Sequence, residues 1–150
     1  MVYLVGTNET EKEYQNEDFC GRFDRSCSDR TFEKLSAKNC QVIAGARRPE
    51  AVVEFPNVTP QKMDLHASVD NIAELLKGAD VVVFAAGSRG KDLLQTDAYG
   101  AVKLMQAAKK VGITRFVMFS ALFSLTPEKW PENLKDYYVA KFFADNYLIN

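Results

Sequence analysis

The stretch Asp80-Val81-Val82-Val83-Phe84-Ala85-Ala86-Gly87 decides the fold of this chain. It is a short, almost continuous apolar run that begins after a polar residue and ends at a glycine. Runs of this length are typical of strands buried on both faces of a parallel sheet, whereas a strand with one wet face alternates apolar and polar residues. The stretch therefore predicts a fully buried strand in an α/β domain.

Four weaker runs predict further strands of the same sheet, at Val2 to Val5, Gln41 to Ala44, Val58 to Asp64 and Arg115 to Ser120. Apolar residues three or four apart predict helices at Ser68 to Leu76, Asp97 to Val111 and Leu134 to Leu148. Alternating strands and helices indicate a mainly parallel sheet with right-handed crossovers. We predict an α/β, doubly wound (Rossmann-type) fold whose parallel sheet has about five strands in the order 3-2-1-4-5.

Two regions depart from this alternation. Residues 7–29 are polar, rich in charge and aperiodic, which favours an exposed or disordered excursion before a short helix near Thr31 to Ala37. The chain ends in or just after its last predicted helix, whereas a dinucleotide-binding fold normally continues with another strand. We take residues 1–150 as one domain, and truncation at the C-terminus is one interpretation of its end.

Composition restricts the classes of partner. The chain has 150 residues, a net charge of −1 and 47% hydrophobic residues, as in an ordinary globular domain. We expect a cytoplasmic protein with a small-molecule substrate, and no nucleic-acid or membrane partner; nothing indicates an oligomer. The odd number of cysteines without Cys-x-x-Cys spacing favours reduced thiols, with a metal site or a disulfide as the alternatives. We predict no metal site.

The pair Tyr137 and Lys141 is the strongest candidate for chemistry. Residues four apart share one face of a helix, so the two side chains should project together. A neighbouring ammonium favours phenolate over phenol and so lowers the pKa of a tyrosine. The pattern therefore predicts a phenol that acts as an acid or base near neutral pH.

The first predicted strand ends at Gly6, where a doubly wound fold turns its backbone toward a pyrophosphate. The next glycine is Gly21, which is followed by Arg22, and Asp24 stands where a third glycine is expected. An acidic residue beside a phosphate is electrostatically unfavourable. Two interpretations stay open: this segment binds a dinucleotide phosphate, or it has lost that role.

Residues after the second and third strands are candidate contacts for the adenosine end of a dinucleotide. Arg47 and Arg48 suit the 2′-phosphate of NADP, although a solvated basic turn before Pro49 would look the same. Asp64, followed by Leu65, could contact an adenine amine, or could cap the next helix. These residues favour NADP as the cofactor, with NAD as the alternative.

Small residues and hydroxyls follow the fourth and fifth strands. Ala85, Ala86 and Gly87 would let a flat cofactor approach the backbone, or would serve close helix packing. Ser120 and Ser124 could each polarise a substrate carbonyl or cap the following segment. We assign a surface role to His66, the only histidine of the chain.

With these residues in place, the chain resembles the short-chain dehydrogenase/reductase superfamily, most closely its atypical, NmrA-like and NAD(P)-dependent epimerase-like branch. The resemblance covers about Gln41 to Asn150. It implies an NAD(P)-binding Rossmann fold with Tyr137 as acid/base, Lys141 as its pKa tuner and nicotinamide-ribose ligand, and Ser120 as the carbonyl polariser. It rests on Gly45-Ala46-Arg47-Arg48-Pro49, Asp64-Leu65, Ala85-Ala86-Gly87, Asp97-Ala98-Tyr99-Gly100-Ala101-Val102, Phe116 to Ser120, and Tyr137 with Lys141.

Three departures from the superfamily pattern affect this interpretation. The glycine motif is interrupted, Ala121 and Leu122 occupy the usual positions of the serine, and the C-terminal substrate lobe is absent. We predict an NADP-dependent oxidoreductase or epimerase-like enzyme that acts on a small carbonyl or hydroxyl substrate. The alternatives are a non-catalytic NmrA-like dinucleotide sensor and a structural fragment without a ligand.

Overall fold

A computed structural model of the chain describes residues 2–6 and 40–150. Its strands are β1 (Val2–Gly6), β2 (Gln41–Ala46), β3 (Val58–Lys62), β4 (Val81–Phe84) and β5 (Arg115–Met118). They form one sheet in the order β3-β2-β1-β4-β5, so the predicted α/β class and strand order are confirmed. The excursion predicted at 7–29 and the helix predicted at Thr31 to Ala37 lie outside the described residues.

The three predicted helices are present as α1 (Val69–Leu76), α2 (Tyr99–Lys110) and α3 (Lys135–Ile149). Ser68 caps α1 as predicted, because its hydroxyl accepts a 3.2 Å hydrogen bond from the Asn71 backbone N–H. A π-helical turn over Leu93–Ala98 precedes α2 and was not predicted. None of the described helices is long and apolar enough to cross a membrane.

The direction of β1 differs from the prediction of a parallel sheet. β2 runs parallel to β3, and β4 runs parallel to β5. β1 lies between these pairs and runs antiparallel to both β2 and β4, with Val2 opposite Gly45 and Phe84. The sheet is therefore mixed, with four strands in one direction and β1 in the other.

The physical reason lies in the uniform burial of β1. Val2, Leu4 and Val5 are 1%, 1% and 3% exposed, so the strand is covered on both faces. A strand that is apolar on both faces buries the same side chains in either direction. The reversal places Gly6 opposite Gln41, at the edge of the sheet where β2 begins.

The core occupies both faces of the sheet. One cluster joins the sheet to all three described helices, with members that include Leu4, Phe84, Ile72, Leu104 and Ala144. A smaller cluster on the other face includes Val42, Val52, Val83 and buried Cys40. Cys20 and Cys27 lie outside the described residues.

Because β2, β3, β4 and β5 share one direction, their last residues lie along one edge of the sheet. We call this edge, formed by Ala46, Lys62, Phe84 and Met118, the carboxyl edge. The loops that follow these four strands start there. In open α/β sheets ligands bind outside the carboxyl ends of the strands, so this edge is where a site is expected.

Candidate functional site

Lys141 is the most deeply buried polar side chain that α3 brings to the carboxyl edge. It is only 2% exposed. Its Nζ donates a 2.9 Å hydrogen bond to the backbone carbonyl of Phe119, just after β5. The same Nζ lies 5.8 Å from the centroid of the Phe84 ring, a distance at which an ammonium is attracted to an aromatic face.

Tyr137 lies one helical turn before Lys141 on the same face of α3. The Lys141 Nζ is 5.8 Å from the centroid of the Tyr137 ring, which confirms that the two side chains project together. The predicted lowering of the Tyr137 pKa is wrong for this arrangement. Burial raises the pKa, and the charge of Asp97 raises it further, with smaller contributions from Tyr138 and Asp145. The phenol therefore keeps its proton at neutral pH.

Lys141 itself experiences opposing influences. Burial disfavours the ammonium and lowers its pKa below the ordinary value of a lysine. The negative charges of Asp97 and Asp145 act in the other direction and support the protonated form. The two carboxylates therefore offset part of the free-energy cost of burying this charge.

Asp97 was not predicted as a site residue. It lies in the last turn of the π-helical segment before α2 and is 1% exposed. Its Oδ2 accepts a 2.9 Å hydrogen bond from the Ser88 backbone N–H in the loop after β4. The signal in the sequence was its position at the start of the motif that opens the long helix, which indicates only where that helix begins.

Asp145 is the second residue that sequence reasoning missed. It lies one turn beyond Lys141 on α3 and is 7% exposed. The Ser120 hydroxyl donates a short hydrogen bond to its Oδ2. The hydrogen of Ser120 is thus engaged, and only its oxygen lone pairs are available to a ligand. The i, i+4 spacing from Lys141 was the available signal.

The loop after β4 carries small residues, as predicted. Ala86 is 6% exposed, and a Cβ atom on Gly87 would lie 3.4 Å from the Asp97 Oδ1. This distance is an ordinary van der Waals contact and Gly87 is exposed, so the geometry does not decide between the two interpretations of this motif. The hydroxyl oxygen of Ser88 is buried without a hydrogen-bond partner among the described residues, and a buried polar group without a partner is costly.

Arg47 and Arg48 follow β2 at the same edge, and both are exposed. A short 3₁₀ turn, Pro49–Ala51, begins directly after them. This exposed position fits both the phosphate contact and the solvated basic turn. Their assignment to NADP stays a prediction.

The residues after β3 are held by local contacts. Asp64 is exposed, and its Oδ1 accepts a 2.9 Å hydrogen bond from the His66 backbone N–H. Leu65 belongs to the side chains packed against the main core, and its Cβ would lie 3.2 Å from a Cβ on Gly100. The Asp64 carboxylate thus stabilises a turn before α1, while the helix cap itself is Ser68.

His66 makes a surface contact, in line with its predicted role. Its Nε2 lies 2.7 Å from Oδ2 of Asp92. A hydrogen bond from Thr96 lowers the pKa of the Asp92 carboxyl, and a hydrogen bond from His66 lowers it to a smaller extent. No group of three or more potential metal-ligating His, Cys, Asp or Glu side chains occurs in the part of the chain that the structure describes.

Gly6 does not join this site. The antiparallel direction of β1 takes it to the opposite edge of the sheet, where a Cβ added to Gly6 would lie nearest to the Gly78 carbonyl oxygen, at 3.9 Å. Its predicted contact with a pyrophosphate bound at the carboxyl edge is therefore corrected. Gly21 and Arg22 lie outside the described residues.

The segment between β5 and α3 folds against the start of α3. The Trp130 Nε1 donates to the backbone carbonyls of Phe123 and Ser124, and its ring packs 5.9 Å from the ring of Tyr138. Ser124 is buried in this segment, and its backbone N–H donates to the Ala121 carbonyl. The carbonyl-polariser and cap interpretations of Ser124 both stay predictions, while Ser120 is the serine that reaches α3.

Comparisons with known proteins agree with a nucleotide site. A protein-family profile described as NAD(P)H-binding matches residues 27–150. The chain is 45% identical over 89 residues to an uncharacterised sugar epimerase, YhfK, of Bacillus subtilis; the match covers 57% of this chain and 42% of that protein. The chain thus spans less than half the length of that relative.

Solved structures share the fold. The crystal structure of the oxidoreductase ylbE from Lactococcus lactis matches with a TM-score of 0.75 and 46% identity, over 78% of this chain and 55% of that chain. The enzyme WbmH of Bordetella bronchiseptica, in complex with NAD+, matches with a TM-score of 0.62 and 23% identity, over 78% of this chain and 46% of that one. The second likeness supports the fold alone.

Proposed function

Because this chain belongs to the NAD(P)H-binding family, we propose that its carboxyl edge binds NADP and supports oxidoreductase or epimerase-like chemistry on a small carbonyl or hydroxyl substrate. The observation that carries the proposal is the pair of half-buried Tyr137 and buried Lys141, with Lys141 only 2% exposed at that edge. A lysine is rarely buried without a function or a close partner. The short-chain dehydrogenase/reductase resemblance gives the pair its role.

The proposed adenosine end lies beyond β2. The guanidinium groups of Arg47 and Arg48 can form charge-assisted hydrogen bonds with a 2′-phosphate, which NAD lacks. No acidic residue stands at either position to hold a ribose 2′-hydroxyl instead. NADP is therefore the preferred cofactor in this proposal, and NAD is the second choice.

The proposed nicotinamide end lies beside β4 and β5. An ammonium has three donors, and Lys141 directs one of them to the Phe119 carbonyl. The remaining donors can bind ribose hydroxyls. The buried, unpartnered Ser88 hydroxyl oxygen at the same edge also suits a polar ligand.

The bound dinucleotide supplies or accepts a hydride. Tyr137 is protonated at neutral pH, because burial and Asp97 raise its pKa, so it can donate a proton to a substrate oxygen as negative charge develops there. In the reverse direction the phenolate would need the positive charge of Lys141 nearby. The Ser120 hydroxyl donates its hydrogen to Asp145. Its oxygen would accept a hydrogen bond from a substrate hydroxyl, or its hydrogen would turn from Asp145 to a substrate carbonyl.

A non-catalytic NmrA-like dinucleotide sensor is the second candidate. Two observations favour it: the pKa of Tyr137 is raised rather than lowered, and the Ser120 hydroxyl donates to Asp145. The raised pKa makes Tyr137 a weaker acid, and the contact with Asp145 withholds the Ser120 hydrogen from a substrate carbonyl. A sensor needs the same dinucleotide contacts but no acid or base.

Turnover separates the two functions. NADPH oxidation should be measured with a broad panel of small aldehydes and ketones for the wild type, Tyr137→Phe and Tyr138→Phe. Tyr138 is the matched control, because it is the adjacent tyrosine and its ring packs against Trp130. We expect Tyr137→Phe to lose turnover yet keep NADPH affinity, and Tyr138→Phe to keep both. Wild-type protein that binds NADPH but oxidises it with no carbonyl would favour the sensor.

A further inference from the structure

The carboxyl edge contains an imbalance of buried charge. Among the described residues, Asp97, Lys141 and Asp145 are 1%, 2% and 7% exposed at this site. Lys103 is the other buried charged residue of the described part; it lies on α2, and its Nζ donates to the Ala67 carbonyl. The cluster around Lys141 therefore holds two carboxylates and one ammonium.

Both carboxylates are fixed in place. Asp97 accepts from the Ser88 backbone N–H, and Asp145 accepts from the Ser120 hydroxyl. Asp145 lies one helical turn from Lys141 on α3, and the π-helical segment that contains Asp97 packs against α3, so both charges lie at one site. Both carboxylates also act electrostatically on Tyr137 and Lys141. One carboxylate would suffice to balance Lys141, so the second leaves a net negative charge.

Nearby exposed cations change this field little. Arg89 and Lys91 belong to the loop after β4, and both are exposed. Solvent and salt screen exposed charges much more strongly than buried ones. The buried cluster therefore sets the local potential that a ligand beside Lys141 meets.

We propose that Asp97 and Asp145 are specificity-determining residues that make this site prefer the oxidised dinucleotide over the reduced one. The inference rests on the proposed function, in which Lys141 binds the nicotinamide ribose. The oxidised nicotinamide ring carries a positive charge that the reduced ring lacks, while the phosphates and riboses are the same in both forms. A net negative site therefore stabilises the oxidised ring selectively.

The test compares the dissociation constants of NADP+ and NADPH by titration calorimetry. Proteins to titrate are the wild type, Asp97→Asn and Asp145→Asn, because asparagine keeps the size and an acceptor oxygen. All proteins are titrated at the same pH. We expect the wild type to bind NADP+ more tightly than NADPH. In each variant the dissociation constant of NADPH divided by that of NADP+ should fall about tenfold, the size of one unit-charge interaction within a site.

Three further variants separate this effect from others. Asp136→Asn removes an exposed acid from the first turn of α3 and should leave the ratio unchanged. Arg47→Ala should weaken both forms equally, because both carry the same 2′-phosphate. Lys141→Met should raise the same ratio, in favour of NADP+, since it makes the site more negative.

The outcomes distinguish this inference from the function on which it rests. If the wild type binds neither form, the proposed function and this inference both fail. If both forms bind and the ratio stays within twofold of wild type in folded Asp97→Asn and Asp145→Asn, only this inference fails. Circular dichroism verifies folding, and if one variant does not fold, the other and Lys141→Met decide.

Discussion

The backbone N–H of Ser88 donates a 2.9 Å hydrogen bond to Oδ2 of Asp97. This contact joins the loop after β4 to the π-helical turn before α2. Asp97 is almost fully buried, so water cannot replace its carboxylate as the acceptor. The loop that would face a dinucleotide is thereby fixed by the same carboxylate that acts on Tyr137 and Lys141.

Asp97→Ala should lower the free energy of unfolding by about 1–3 kcal/mol, since the Ser88 N–H would lose its acceptor in a partly buried place. Asp97→Asn keeps an acceptor oxygen and should be less destabilising. Urea denaturation of the three proteins measures this. Equal loss in the two variants would show that the charge, and not the hydrogen bond, is what matters.

Gly6→Ala tests the reversed direction of β1. Gly6 lies at the edge opposite the proposed site, and among the described residues an added Cβ would approach only the Gly78 carbonyl oxygen, at 3.9 Å. We expect NADPH affinity to stay within twofold of wild type in a calorimetric titration. A large loss of affinity without loss of stability would mean that Gly6 contacts the phosphates.

Cofactor choice depends on Arg47 and Arg48 in this account. The wild type should bind NADPH more tightly than NADH by about 1–3 kcal/mol, typical of hydrogen bonds to charged groups, and the double Arg47→Ala, Arg48→Ala variant should lose that difference. Calorimetry with both cofactors measures it.

The matched control for that variant is Lys109→Ala with Lys110→Ala, which removes the same charge from the end of α2. It should keep the NADPH preference. Equal wild-type affinities for the two cofactors would contradict the NADP assignment.

The burial of Lys141 predicts a pH dependence of stability. Its folded-state pKa lies below the ordinary value of 10.5, so between the two values the unfolded chain binds more protons than the folded one. Stability from this group therefore rises with pH in that window. The unfolding free energy of the wild type, measured relative to Lys141→Met, should increase as the pH rises toward 10.5; a constant difference would mean that the lysine is solvated.

β3 is an edge strand that contains Thr59, Gln61 and Lys62 and follows the apolar pattern only weakly. Apolar patterning was sufficient to predict the other four strands, because each is a short run bounded by polar residues or glycine. It could not predict the direction of β1, since Val2, Leu4 and Val5 are buried equally well either way. The pair Tyr137 and Lys141 followed from helical spacing. Asp97 and Asp145 did not, because their roles depend on contacts with Ser88 and Ser120, each of which comes from another element.

The same limitation explains the pKa of Tyr137. Spacing on α3 places Lys141 beside the phenol, but the sequence does not show that the ammonium turns to the Phe119 carbonyl or that Asp97 approaches from another element. The predicted sign of the shift was therefore wrong. Burial and a carboxylate from a distant part of the chain outweigh the neighbouring lysine.

The central claim is that Lys141 holds a dinucleotide at the carboxyl edge, and titration of NADPH into the wild type and Lys141→Ala tests it most directly. Exposed Lys135→Ala on the same helix is the control, with circular dichroism to verify folding. The account predicts saturable binding that Lys141→Ala weakens at least tenfold, as expected for the loss of a charged hydrogen bond, and that Lys135→Ala leaves unchanged. Absence of saturable binding by the wild type, or equal affinity in folded Lys141→Ala, would contradict it.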